Sequence, residues 1–468
     1  MMKRTIFLCT TFFFVLTSMA AFAEQKSSGR NISEKLIAQI DSSSFIKEDF
    51  RTSPDNKHVA YKAKSGDKQL VVVVDGKKGK QYDAIGKGTP IFSPDSKHVA
   101  YIAGIGNKRF VVVDGREEKQ YDGIGKESPI FSPDSKHVAY DVKSGNKWFI
   151  VVDGKEGKQY DGIVGGNLIF SPDSKHVAYA AISGNKWFVI VDGKEEKQYD
   201  GIFGNLIFSP DSKHLAYGGR SGDKCFVVVD GKEEKQYDSI GKGSLIFSPD
   251  SKHLAYGAKS GNKWFVVIDR KDEKQYDAIA GTPVFSMDSK HLAYAAGIGN
   301  KCFVVVDGKE RKQKQYDGIG KGTPIFSPDS KHVVYAAISG NKQLIVVDGT
   351  EEKSYDGIAN PIFSPDGKHV VYTAQSGNKW FVVADGKEEK QYDGIGDTPF
   401  FSPDSKHLIY VALIGNRYLI VIDGKEEERY NKIVAISSRW KSVFDTSDSF
   451  HYLASKGSSI YLVEERIK

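Results

Sequence analysis

The residues best equipped for chemistry in this 468-residue sequence are its eleven histidines. His58, His98, His137, His176, His214, His253, His291, His332, His369 and His407 stand at one position of a recurring string, and His451 lies in a degraded last copy. Groups repeated in this way on neighbouring sheets sit about 10 Å apart, whereas zinc gathers its ligands within about 2 Å of one ion. The reading is therefore structural, each imidazole being satisfied by the Asp or Ser of the adjacent SPDS turn, and no metal site is expected. Asp95, Asp114 and Asp122 recur in most copies without the alternating spacing of a calcium loop, and aspartate favours turns through its own side-chain bonds. Gly86-Lys87-Gly88-Thr89 returns at Gly320–Thr323, but the full phosphate-loop pattern and a following helix are missing. There is no G-x-S-x-G elbow for a nucleophile. No catalytic residue and no cofactor are expected.

Three cysteines exclude a disulfide-built scaffold. Cys225 and Cys302 occupy the same repeat position two copies apart. That separation exceeds the roughly 7 Å reach of a disulfide, so both are expected as free thiols.

These residues are positioned by a unit that recurs along the chain, typified by Thr89–Ile124 (TPIFSPDSKHVAYIAGIGNKRFVVVDGREEKQYDGI). The nine intervals from His58 to His407 average about 39 residues, close to the four-strand blade of a β-propeller at roughly 40–45. Pro90–Ser93 reads as strand a, His98–Ala103 as b, Arg109–Val113 as c and Lys119–Ile124 as d, with turns at Pro94-Asp95, Gly106-Asn107 and Asp114-Gly115. Strands b and c are apolar on both faces, as sheets stacked between neighbours require. Turn residues every 8–12 positions leave no room for a helical repeat. The fold expected is all-β, a propeller of about eleven four-stranded blades over residues 49–468, in one wide ring or two. Residues 24–48 include Lys35–Ile40 (KLIAQI), which can supply a fourth strand to a last copy that ends after its strand c. The mixed-sign runs such as Lys194–Lys197 read as solvated turns.

The FSPDSKHVAY core followed by FVVVDG resembles the TolB-like, WD-like β-propeller repeat of bacterial exported proteins, over about Phe50–Lys468. The SPD element is kept in nine of the first ten copies, Ser286-Met287-Asp288 being the departure. The resemblance implies a periplasmic propeller and raises the option of an envelope component. The α/β domain that full kinship with TolB would imply ahead of the propeller is not expected here, because only about 25 residues lie between the expected signal and the array.

Met1–Ala23 has a charged start (Lys3, Arg4), an apolar stretch (Thr5–Leu16) and an Ala21-Phe22-Ala23 end, the parts of a cleaved secretory signal. The expected location is periplasmic or secreted, with no membrane span. The net charge of +6, from 66 Lys and Arg against 60 Asp and Glu, is small for this length and argues against nucleic-acid binding. The expected function is a non-enzymatic, monomeric scaffold that binds a protein, peptide or glycan on one face of the ring. The alternative is a propeller enzyme such as a polysaccharide lyase, with its site over the central channel. The candidate face follows from comparing copies: SPDSKH and VVDGKEEKQYD barely vary, while the opening of strand c (Arg109, Trp148, Trp187, Trp264, Trp380, Tyr418), the end of strand b (Arg220) and the d-to-a connection do. Aromatics there offer broad amphipathic contacts.

Overall fold

The computed structural model describes residues 23–27, 30–66, 69–127, 129–310, 315–396, 398–434 and 444–467. All but one residue of the export-signal reading lies outside them. Every regular element among the described residues is a β-strand, arranged as eleven antiparallel sheets. Blade 2 shows the pattern. Its strand a is Ala84–Ile85 with Ile91–Phe92, b is Val99–Ile105, c is Lys108–Val113 and d is Arg116–Glu117, hydrogen-bonded in the order a-b-c-d. Ala100 and its counterparts on strand b are fully buried; in blades 1 to 7 they are alanines, small enough to let the next sheet approach, and in blades 8 to 10 they are Val334, Val371 and Ile409.

The blades form one closed ring. Successive sheets trap a separate apolar cluster in each seam, for example Val111 and Tyr121 of blade 2 against Tyr140, Val142, Phe149 and Val151 of blade 3. The same kind of cluster joins the last blade to the first, with Leu453, Ile460 and Leu462 around Val59 and Phe50. The two-ring alternative is thereby excluded. Blade 11 takes its fourth strand from the N-terminal segment: Arg30–Gln39 pairs antiparallel with Ser459–Arg466, and Ala23–Ser27 adds a fifth strand outside it.

Lys119–Ile124, expected as one strand d, is divided between two blades. Tyr121 exchanges both backbone bonds with Arg109 of blade 2, at 2.9 and 2.8 Å, while the Asp122 amide already donates to the Lys143 carbonyl of blade 3. Gly123–Ile124 is the start of blade 3's strand a. Asp122 explains the crossing: its carboxylate takes Lys108 Nζ of its own blade and the Gly145 amide of the next, each at 2.7 Å. The segment expected as the d-to-a connection is consequently an interruption inside strand a.

The SPDS turn binds seams together. Ser93 Oγ donates to Asp95 at 2.6 Å, and the Asp95 amide donates to Ser135 Oγ of the next blade at 2.9 Å. Ser135 and its equivalents adopt φ near +65°, a cost met by that buried bond. The Lys-Glu-Glu-Lys runs are also not mere solvated turns. Lys119 Nζ and Tyr121 Oη both reach Glu156 of the next blade, at 2.7 and 2.9 Å, and related pairs recur around the outer edge. The N-terminal strand completes this series with Glu34, which accepts from Tyr430 Oη at 2.8 Å and Lys456 Nζ at 2.8 Å.

Candidate functional site

The histidines are structural rivets, with a partner other than the one expected. The SPDS serine accepts only the histidine backbone amide (His98 N to Ser93 Oγ, 3.0 Å). The His98 ring instead meets Asp114 of the c–d turn, Nδ1 to Oδ2 at 2.7 Å, and lies 6.5 Å from the Phe131 ring of the next blade. Asp114 is free to do this because its own φ of +50° turns the carboxylate back toward strand b, where it also accepts the Val99 amide. His451 departs from the repeat position. It pairs with Glu464 at the place Ala100 holds in blade 2, is buried, and bonds Asp445 at 2.7 Å and the Asp55 carbonyl of blade 1 at 2.6 Å. Among the described residues no three His, Cys, Asp or Glu side chains gather as metal ligands.

The b–c hairpins and the strand-a interruptions carry the variable residues. Trp148, Trp187, Trp264 and Trp380 each exchange backbone bonds with the strand-d tyrosine of their own blade (Tyr160, Tyr199, Tyr276, Tyr392). All four side chains are half-buried. They stand in or beside the seams rather than free on the rim: Trp187 packs on the cluster containing Ile202 and Leu206 of blade 5, and Tyr418 on the cluster of blade 11. The reason is alternation along strand c, which turns this position toward the following blade. Lys259 lies over the Trp264 ring at 6.0 Å. Arg109 folds back on its own hairpin, donating to the Gly106 and Lys108 carbonyls at 3.1 and 2.8 Å. Arg220 is exposed and stands across from Cys225. Burial pushes the Cys225 thiol up, with Arg220 opposing that shift. Both Cys225 and Cys302 are free thiols.

The strand-a interruptions form an inner collar. Strand a is the edge strand at which neighbouring blades come nearest, and its interruptions touch from blade to blade. Thr282 Oγ1 of blade 7 donates to the Gly243 carbonyl of blade 6 at 2.9 Å, and the Leu206 amide of blade 5 to Asn167 Oδ1 of blade 4 at 3.2 Å. Between blades 3 and 4 the collar leaves a cavity of about 270 Å³ in which Trp148 meets Asp141, Lys126, Glu127 and the Gly165–Gly166 backbone. The equivalent space is smaller between blades 5 and 6, at about 70 Å³, and is occupied by a side chain between blades 1 and 2. Phe203 lies over Gly218 in blade 5, and Lys62 fills the seam between blades 1 and 2, bonded to Asp49 at 2.9 Å and to the Gly86 carbonyl. Neither Lys62 nor the cavity is apparent from the repeat, because each depends on which side chain stands opposite an interruption of particular length.

On the opposite face, a groove of about 700 Å³ between blades 6 and 7 is lined by His253, His291 and Glu273. Each histidine there is held by an aspartate of its own blade, Asp269 at 2.6 Å and Asp307 at 2.7 Å.

No protein-family model matches the sequence, and no curated protein matches it. Solved structures similar to this chain include three at 15% identity. A eukaryotic initiation factor has TM-score 0.40, covering 72% of this chain and 96% of its own. TolB from Acinetobacter baumannii has TM-score 0.24, covering 54% and 78%. The β-propeller domain of the Trilobed protease from Pyrococcus furiosus has TM-score 0.29, covering 57% and 94%. The chain is an eleven-bladed β-propeller. That statement rests on its own strand pairing and seams.

Proposed function

We propose that this propeller is an exported, non-enzymatic scaffold that binds a protein, peptide or glycan ligand through its b–c hairpins and inner collar. The observation that carries the reading is the asymmetry between faces. The SPDS and VVDG turns of one face are committed to repeated contacts, His98 to Asp114 and Asp95 to Ser135. The other face varies from blade to blade and holds the half-buried tryptophans and the 270 Å³ cavity beside Trp148. Kinship with TolB-like repeats and a place in the cell envelope belong to the same proposal, supported by the FSPDSKHVAY repeat and the apolar N-terminal stretch. No helix among the described residues is long and apolar enough to cross a membrane.

The test is a glycan array and a peptide library probed with the chain from Glu24 onward. Trp148→Ala, Trp187→Ala and Trp380→Ala are expected to weaken whatever binds in chains that remain folded by circular dichroism, with some fall in melting temperature where, as at Trp187, the ring packs on a seam cluster. Lower melting temperatures with unchanged affinity would make these aromatics seam residues only. Turnover of a bound glycan would favour the lyase alternative.

A further inference from the structure

Lysines mark the inner collar. Lys87, Lys126, Lys242 and Lys321 occupy the same place in the strand-a interruptions of blades 2, 3, 6 and 8, and Lys47 takes the corresponding stretch of blade 1. All five are exposed, and none is in an ion pair among the described residues. Compare Lys108 and Lys119, whose partners Asp122 and Glu156 lie at 2.7 Å. Among the described residues the collar's carboxylates are the exposed Glu48 and Glu127, Asp141 in the cavity beside Lys126, and Asp49, which is paired with Lys62 at 2.9 Å, so the five exposed lysines leave a positive balance. Blades 1, 2 and 3 are consecutive, which sets three of the ammonium groups on sheets about 10 Å apart. Cations repeated at such intervals suit a linear polymer with charge recurring along it better than one small anion. The polymer's monomer is suggested by what stands beside the lysines. Lys126 shares its cavity with Trp148, and Lys143 pairs across the sheet with the same tryptophan. A tryptophan face next to an ammonium group offers an apolar platform and a charge to one ring-shaped, acidic unit.

We propose that the collar binds an anionic polysaccharide, its lysines meeting the acidic groups and Trp148 receiving a sugar ring. This rests on the reading of the variable face given above and names its ligand class.

The probes are alginate, neutral dextran, polyglutamate and an oligo-dT strand, titrated into the chain from Glu24 onward by calorimetry at low and physiological salt. Alginate is expected to bind, more weakly at higher salt, and dextran not to bind. The combined Lys87→Ser, Lys126→Ser, Lys242→Ser and Lys321→Ser variant should weaken alginate binding about tenfold or more. These side chains are exposed on turns, so circular dichroism should be unchanged. Trp148→Ala should weaken alginate about fivefold while leaving polyglutamate unaffected. Unaltered alginate affinity in the lysine variant overturns the proposal, as does polyglutamate or oligo-dT binding as tightly as alginate. Binding of an uncharged glycan or a peptide, weakened by Trp187→Ala, with no alginate binding would overturn it and leave the broader face reading standing.

Discussion

Replacing Glu34 with alanine tests whether the ring is locked by its N-terminal strand. Glu34 is 17% exposed by its side chain and accepts three bonds, from Tyr430 Oη at 2.8 Å and from Lys456 Nζ at 2.8 Å to each oxygen. A hydrogen bond from a phenol to a carboxylate contributes about 1.5–3 kcal/mol. The ion pair, with Lys456 one-third exposed, adds no more than about 1 kcal/mol after solvent screening. The loss is therefore about 2 kcal/mol at that seam. Arg30–Gln39 is joined to the rest of blade 11 only by pairing and packing, so the loss should act on its local opening. Amide exchange in Arg30–Gln39 should accelerate about 30-fold, since 1.36 kcal/mol is a factor of ten. Glu117→Ala is the control. It removes equivalent contacts with Lys80 and Tyr82, at 2.5 and 3.1 Å, from a strand tied to strand c of its own blade by the Asp114-Gly115 turn. Its effect should stay in blades 1 and 2. Unchanged exchange in Arg30–Gln39 for Glu34→Ala, or equal acceleration there for Glu117→Ala, would refute the reasoning.

Three further outcomes are expected. Tyr217→Ala removes a fully buried ring whose hydroxyl bonds Glu196 at 2.6 Å and should cost about 3–5 kcal/mol in urea unfolding; Phe170→Ala, at a half-buried position against His137, should cost clearly less, and equal costs would contradict the seam description. Gly367→Ser restores the serine that other SPDS turns carry at a comparable positive φ (+75° here, +65° at Ser330) and supplies an acceptor to the Asp329 amide, so the melting temperature should rise by the equivalent of about 0.5–1 kcal/mol; a fall would mean that Asp329 Oδ1, 2.9 Å from the new Cβ, cannot move aside. Asp250 and Asp366 are pulled down to about 2, chiefly by their Ser248 and Ser364 hydroxyls, so their stabilisation is complete above the unfolded value near 4 and is lost as pH falls through about 2. Urea midpoints of Asp250→Asn should accordingly vary less than wild type between those limits, and parallel curves would dismiss that linkage.

Much of this architecture is legible in the sequence because a sheet packed on both faces leaves a double apolar signal. HVAYIA and RFVVV have that signal, and their pairing as strands b and c holds in every full copy. The cut between blades is not legible. A tandem repeat has no intrinsic first residue, and only the contacts of Asp122 across the seam show that the chain changes sheet there. The histidine's partner was hidden for a similar reason: Ser93 and Asp114 are both near His98, and choosing between them needs the positive φ of Asp114. The displacement of His451 by two positions follows from the hairpin Lys456–Ser459, against which the last strand is in register. The tryptophans were visible as variable positions, but their direction depends on the phase of strand c relative to the next blade, which composition does not encode.

The seams have a bearing on how such a molecule can change in size. Most blades offer their successor a similar set of contacts: an aspartate amide toward a serine hydroxyl (Gly367 opposite Asp329 is an exception), a lysine and a tyrosine toward a glutamate or aspartate, a histidine ring toward a phenylalanine. A blade removed or duplicated would therefore meet a familiar surface on both sides. Nothing in these local bonds counts to eleven. The total must instead come from how far each seam can splay before its cluster loosens, and from Glu34 arriving within reach of Tyr430. Ring circumference is thus a collective property, open to unequal recombination between the near-identical repeats, with the terminal clasp serving as the check on whether a new number of blades still closes.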